Sequence, residues 1–228
     1  MSQAVKERFA RIAGKYDFYN HFFSRGIDIG WRDEAAKEAV LGKKSSFVLD
    51  SATGTGDLAF AVCKLAREKA KKVKIEGTDF VPQMLEIARM KAERMGMSGV
   101  SFKLEDSLRT KRKAGSVDVI TTGFSLRNFD DVPAFLSESH RILRENGRLV
   151  ILEMALPDRA TDRLKFRLYS YFIRFMSLFA DSAYNWLVDS INRFDKHALV
   201  ERTRTAGFRN VKLRELRSGV AFVMTAEK

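Results

Sequence analysis

The stretch Phe47-Val48-Leu49-Asp50-Ser51-Ala52-Thr53-Gly54-Thr55-Gly56-Asp57 decides how this chain is read. An apolar run ends in an acid, a glycine-rich turn follows, and a helical pattern opens at Asp57. Glycines in such a turn let a ligand reach backbone N–H groups that side chains would screen. A second apolar run, Val73 to Thr78, ends in Asp79. An acid at the end of the second strand is placed for ribose hydroxyls. Together these features predict a nucleoside-type ligand held at the turn.

Outward from the turn, strands and helices alternate. Val100–Leu104, Val117–Gly123 and Arg148–Met154 read as further strands. Asp57–Lys69, Pro82–Met95 and Val132–Leu143 read as amphipathic helices between them. This alternation predicts a parallel sheet covered on both faces. The first forty residues are helical in pattern, with Val5, Phe9 and Ile12 on one face and Trp31 to Leu41 repeating that spacing. Late in the chain an aromatic helical region, Arg159 to Ser190, precedes a helix over Lys196–Ala206 that stops at Gly207. Two strands, Val211–Leu216 and Val220–Ala226, flank the turn Arg217-Ser218-Gly219 and read as a hairpin.

The predicted fold is therefore α/β: a Rossmann-like, seven-stranded, mostly parallel sheet with helices on both faces, an antiparallel strand in the C-terminal hairpin, and a helical cap. The seventh strand and the hairpin separate it from the six-stranded, all-parallel dinucleotide fold. One domain is expected over 1–228, divided into an N-terminal cap (1–42), a cofactor-binding half (43–156), an aromatic insertion (157–194) and a C-terminal helix and hairpin (195–228).

The chain has 228 residues, 45% hydrophobic and 31% charged, which describes a folded chain with a substantial core. No apolar run is long enough to span a bilayer, and Met1 to Lys15 lacks the apolar centre of a signal peptide. One cysteine, Cys63, excludes a disulfide framework and a cysteine-based zinc site. The three histidines fall in separate predicted elements, so no metal site is expected. A cytoplasmic location follows as the default. The net charge of +12 suits either an anionic partner such as a phospholipid surface or a solvated basic surface. The densest clusters, Lys69–Lys72 and Arg109–Lys113, carry no interleaved aromatics, which argues against a nucleic-acid platform.

Gly54-Thr55-Gly56-Asp57-Leu58-Ala59 fits the loose dinucleotide fingerprint, yet Asp57 at the helix start would repel a pyrophosphate. S-adenosylmethionine carries a sulfonium and an ammonium and no phosphate. Asp50, Asp57, Asp79 and Asp106 at the carboxyl edge of the sheet suit such a cation, although each is also a common cap or turn residue. A nicotinamide-dependent oxidoreductase and a basic nucleic-acid-binding module are the rivals.

The chain resembles the S-adenosylmethionine-dependent C-methyltransferases of ubiquinone and menaquinone biosynthesis over nearly its whole length. The likeness rests on Lys15-Tyr16-Asp17, Asn20, Ser24, Gly26 and Trp31-Arg32, then Gly54–Asp57, Gly77–Phe80 and Met84-Leu85. Ile120-Thr121-Thr122-Gly123-Phe124-Ser125-Leu126-Arg127-Asn128 is its most specific part. Arg141-Ile142-Leu143, Gly147–Leu149, Leu152-Glu153, Ser190-Ile191, Arg193-Phe194 and Ala206–Phe208 extend it. The resemblance implies a polyprenylated quinol as methyl acceptor, with another small-molecule or lipid-like acceptor as the alternative, and cofactor contacts from Thr55, Asp79 and the pair Asp106-Ser107. With the turn itself and the neighbouring strand ends, the expected cofactor set is Asp50, Thr53, Gly54, Thr55, Gly56, Asp79, Phe80, Met84, Asp106, Ser107 and Gly123.

Methyl transfer from a sulfonium is an in-line displacement in which positioning supplies much of the acceleration. Methylating a ring carbon of a quinol also needs a group that accepts or relays the phenolic proton. Tyr16 and His21 in the cap, Arg127 and Asn128 after the fourth strand, and Arg193 after the aromatic region are the candidates. Arg127 can equally clamp Asp130 or Asp131, and His21, set among aromatics, can equally be packing. His140 and His197 read as structural or surface residues. In the aromatic region Arg163, Arg167, Ser170, Arg174 and Ser177 form a narrow polar stripe, and the remaining sector is apolar. So wide a sector needs cover from the core, a partner subunit in a homodimer, a prenyl tail or a membrane surface.

Overall fold

The computed structural model describes residues 3–41, 45–176, 183–217 and 219–228. Strands β1 (Ser45–Ser51), β2 (Lys72–Asp79), β3 (Val100–Leu104), β4 (Val117–Gly123), β5 (Leu143–Met154), β6 (Arg209–Glu215) and β7 (Ala221–Glu227) form one sheet. Their order is β3-β2-β1-β4-β5-β7-β6. The pairs β1–β2, β1–β4, β2–β3 and β4–β5 are parallel, whereas β7 runs antiparallel to both β5 and β6. The expected antiparallel strand is thus β7, which inserts between β5 and β6. β5 starts earlier than its apolar run, because Leu143 already pairs with Val117 across a bulge.

Eight helices are described: α1 (Gln3–Ser24), α2 (Ile27–Val40), α3 (Asp57–Glu68), α4 (Pro82–Arg94), α5 (Val132–Ile142), α6 (Ala160–Met176), α7 (Ala183–Arg193) and α8 (Lys196–Thr205). The aromatic region is two helices, α6 and α7, and residues 177–182 between them lie outside the described residues. Proline stands in the first turn of α4 and α5, where no helical N–H is lost. Asp131 caps α5 by accepting from Ala134 N, and Asp195 caps α8 by accepting from His197 and Ala198 N–H groups.

The alternation of side chains along each strand builds two apolar layers. Val48, Ile75, Val119 and Val150 face α2 and α3, packing on Ala35, Ala39, Leu58 and Val62. Leu49, Ile120, Leu149 and Ile151 face the other way, onto Phe135, Leu136 and Ile142 of α5 and Leu199 of α8. All these side chains are buried, and each large one contributes about 1.5–3 kcal/mol. Ala13 of α1 packs with Val81 and Met84 at the start of α4, so the cap lies beside the carboxyl ends of β1 and β2. Because β1 pairs with both β2 and β4, the sheet's strand order reverses there and opens a crevice at those ends.

Candidate functional site: the crevice at the glycine turn

The turn from β1 to α3 is tied to β2 by backbone. Thr53 N donates to Thr78 O at 2.8 Å, and Gly54 N donates to Asp79 Oδ2 at 2.9 Å. Gly54 and Gly56 both have positive φ, at 56° and 90°. Their roles differ. A Cβ on Gly54 would meet nothing within 4 Å, so its backbone face is open, whereas one on Gly56 would stand 2.9 Å from the Phe60 ring. Ala52 and Phe124 also have positive φ, at 53° and 57°. Such conformations cost about 1–3 kcal/mol each and concentrate at functional sites.

Two adjoining shallow depressions share Ala52, Gly54, Gly123 and Phe124 as a common wall. Phe9, Asp79, Phe80, Met84 and Asn128 line the first; Arg32, Asp50, Thr53, Thr55 and Asp57 line the second. Asp106 and Ser107 stand outside this lining. Asp106 Oδ1 accepts from Leu108 N at 2.9 Å, and Ser107 Oγ accepts from Ser51 Oγ at 2.8 Å.

Both strand-end acids are buried. Asp50 accepts from Thr121 Oγ1 at 2.6 Å and from Thr53 Oγ1 at 2.5 Å, which ties β1 to β4 and to its own turn. Asp79 accepts from Gly54 N and Val81 N, each at 2.9 Å. Desolvation pushes each carboxyl up to about 6, and the hydrogen bonds offset only part of that rise. Asp79 therefore serves the turn's architecture as well as facing the crevice.

Asp57 differs from its expected part. Its carboxylate is bonded to Lys91 Nζ and lies 3.4 Å from an Arg32 guanidinium nitrogen. These two cations neutralise it, so its charge does not govern which ligand the helix start accepts. Thr55 is likewise engaged: its hydroxyl donates to Asp17 Oδ1 of α1 at 2.5 Å, and Asp17 Oδ2 is 2.7 Å from Lys91 Nζ. The chain of charges continues from Arg32 to Asp28, which also accepts from Ser24 Oγ, and His21 Nδ1 lies 2.8 Å from Asp28 Oδ2. Hydrogen bonding from Ser24 and Arg32 holds Asp28 below the usual carboxylate range against its burial.

Among the catalytic candidates, Arg127 meets neither Asp130 nor Asp131. Its Nε donates to the fully buried Glu153 at 2.6 Å and its Nη1 to Ser190 Oγ at 2.7 Å. Arg127 thereby clamps the 3-10 turn Leu126–Asn128 to β5 and α7. Its neighbour Asn128 lines the first depression, and its Oδ1 is buried without a hydrogen-bond partner. Buried polar atoms are rarely left so. His21 sits near Asp28 with its side chain 42% exposed. Arg193 is exposed on the last turn of α7 and lines neither depression. The Tyr16 side chain lies outside the described residues. His140 packs edge-on to Phe208, and the exposed His197 meets Asp158 at 3.0 Å. Among the described residues no group of side chains could hold a metal ion.

Sequence reasoning did not single out Lys91 as part of this site, nor Arg32 for its contacts. Lys91 falls on the face of α4 that carries Met84 and Ile87, and a cation in an apolar stripe is the signal that could have found it. Arg32 also lies over the Phe124 ring at 5.3 Å, which fixes the crevice wall.

Strand order, the reversed β7 and the glycine-turn crevice define the fold of class I S-adenosylmethionine-dependent methyltransferases. A putative S-adenosylmethionine-dependent methyltransferase from Methanococcus maripaludis superposes with a TM-score of 0.69 over 96% of this chain and 93% of its own, at 16% identity. The ubiE/COQ5 methyltransferase family matches residues 1–228, and this chain belongs to it. The demethylmenaquinone methyltransferase of Deinococcus radiodurans is 40% identical over 99% of this chain and 93% of its own. The ubiquinone/menaquinone biosynthesis C-methyltransferase UbiE of Citrifermentans bemidjiense is 33% identical over 99% and 97%. The protein is an S-adenosylmethionine-dependent methyltransferase. The crevice suits that ligand: Gly54 presents open backbone and two buried acids stand at the strand ends.

Proposed function

We propose that the protein methylates a ring carbon of a polyprenylated quinol, demethylmenaquinol in the first place. The full-length kinship with a demethylmenaquinone methyltransferase at 40% identity carries this reading. A polyprenyl benzoquinol is the neighbouring alternative, because relatives at 33% identity bear both quinone names. Such acceptors reside in bilayers, so the protein works as a peripheral enzyme at the inner face of the membrane.

When bound, S-adenosylmethionine supplies an electrophilic methyl group on a cationic sulfur. In this reading Asp79 accepts from the ribose hydroxyls, Phe80 and Met84 pack on the adenosine, and Asp106 with Ser107 borders its base. Gly54 and Gly123 offer backbone, Gly56 makes room for the Phe60 ring, and Asp50, Thr53 and Thr55 brace the turn from beneath. Asn128 Oδ1 accepts a hydrogen bond from the quinol hydroxyl and orients the ring. Arg127 acts as a positioning residue through Asn128, and its charge is matched by Glu153. His21, with Nδ1 toward Asp28, keeps Nε2 for the phenolic proton. The ring carbon bonds to the methyl carbon as the carbon–sulfur bond breaks, and the ring then loses its proton, so each turnover releases one proton. Arg193, exposed at the end of α7, is assigned to the rim of the acceptor site.

The test is methyl transfer from labelled S-adenosylmethionine to demethylmenaquinol and to a demethylated polyprenyl benzoquinol, with product mass detection. The expected result is one added methyl per ring, faster on the naphthoquinol. Failure of both acceptors with a folded, cofactor-binding protein would overturn the reading. Asn128→Ala and His21→Gln are each expected to lower kcat roughly a hundredfold while leaving cofactor affinity unchanged by calorimetry.

A further inference from the structure

α6 packs against the protein with only part of its apolar surface. Phe166 is 6% exposed, but Leu164, Leu168 and Tyr171 are 57%, 62% and 63% exposed. Their spacing of four and three residues makes them one stripe along the helix. Arg163 and Arg167 flank the stripe on one side and Lys165 on the other, all exposed. Such long cationic side chains can lay their stems along a lipid boundary and keep their charges at the headgroups. The helix carries four bases against one acid, Asp162. The junction of α1 and α2 adjoins it, because the Arg25 guanidinium lies 5.9 Å from the Tyr169 ring centre. That junction presents Ile27 and Ile29, 52% and 55% exposed.

From these observations we infer that the exposed stripe of α6 docks the enzyme on an anionic phospholipid bilayer, lying in the interface without crossing it. The inference rests on the proposed lipid-borne acceptor and names the surface that meets it. Charge selects the occupant. A second copy seated symmetrically on this face would set basic helix against basic helix, whereas anionic headgroups complement both the helix and the +12 chain. An amphipathic helix with aromatic and leucine side chains on one face and basic flanks binds in this way. Among the described residues no helix is long and apolar enough to cross a membrane.

The test is co-sedimentation of the full chain with vesicles of phosphatidylcholine alone or mixed with phosphatidylglycerol, with no quinol present. Binding should require the anionic lipid and fall with added salt. The double variant Leu164→Glu/Leu168→Glu should bind the mixed vesicles roughly tenfold or more weakly, with an unchanged melting temperature and unchanged methylation of a short-chain, water-soluble quinol. Arg163→Gln and Arg167→Gln should each weaken it about fivefold. Vesicle binding that ignores the double variant, or no binding at low salt, would overturn the inference. So would a dimer seen by sedimentation velocity that the double variant dissolves. Because vesicle binding is read without an acceptor, its failure is distinct from failure of the methyl-transfer assay.

Discussion

Asp79 holds the glycine turn through Gly54 N, accepts from Val81 N ahead of α4, and faces the crevice at the same time. Its carboxyl is raised to about 6 by burial. A ribose hydroxyl donating to it, or a sulfonium nearby, favours the ionised form. Cofactor binding should therefore release a proton below pH 6, and affinity should fall as pH drops through that value. Calorimetry in buffers of different ionisation enthalpy measures that proton directly. Asp79→Ala should weaken S-adenosylmethionine binding by at least tenfold, about 1.4 kcal/mol. Glu153 makes the contrasting case of a residue whose value is positional. Replacing it by Gln leaves the Arg127 charge buried and unmatched, so stability to urea should fall by about 3 kcal/mol.

At the scale of elements, β2 and β3 meet over Gly77. A Cβ there would stand 2.8 Å from the Phe102 ring and 2.9 Å from Thr53 Oγ1. Gly77→Ala should therefore cost about 1–3 kcal/mol by overpacking and push the turn at Thr53 into the crevice. A lower melting temperature together with a raised KM for the methyl donor is the expected pair of effects. α1 is coupled to the same turn through Asp17, which joins Thr55 to Lys91. The alternation of elements and the residues of the turn were legible from periodicity and glycine chemistry alone. The ties across elements were not, because Asp17 and Thr55 are 38 positions apart and nothing local to either marks the other. Arg127 shows the same limit. Its nearest acids in sequence are Asp130 and Asp131, but the parallel pairing of β4 with β5 brings Glu153 beside it instead.

Over the whole molecule, the two raised acids give stability an unusual dependence on pH. A carboxyl with a folded value near 6 and an unfolded value near 3.8 favours folding most below 3.8, and loses that contribution as pH rises through 6. Asp28, Glu138 and Glu227 are lowered and act in the opposite sense, contributing above their unfolded values and losing that as pH falls through their folded ones. As pH falls from 8 to 5 the raised pair adds about 1 kcal/mol each, and His140, whose burial holds it below the usual imidazole value, works against them. The cofactor-free protein should accordingly melt at a higher temperature at pH 5.5 than at pH 7.5, and bound S-adenosylmethionine should shrink the difference. Scanning calorimetry with and without the ligand reads both.

By itself the sequence determined the class of fold, the place of the crevice and the kind of ligand. Strand periodicity, the Gly54–Gly56 turn and the terminal hairpin are local patterns, and local patterns survive in a linear string. Only the tertiary structure decided which charges act. Asp57 is neutralised by Lys91 and Arg32, Arg127 is matched by Glu153, and Asn128 Oδ1 is buried with no partner. It also divided the apolar surface of α6 between Phe166, turned to the core, and the exposed Leu164, Leu168 and Tyr171. The physical reason is common to all of these. Electrostatics and burial depend on distance and solvent access, which are properties of neighbours brought together by folding and not of neighbours along the chain.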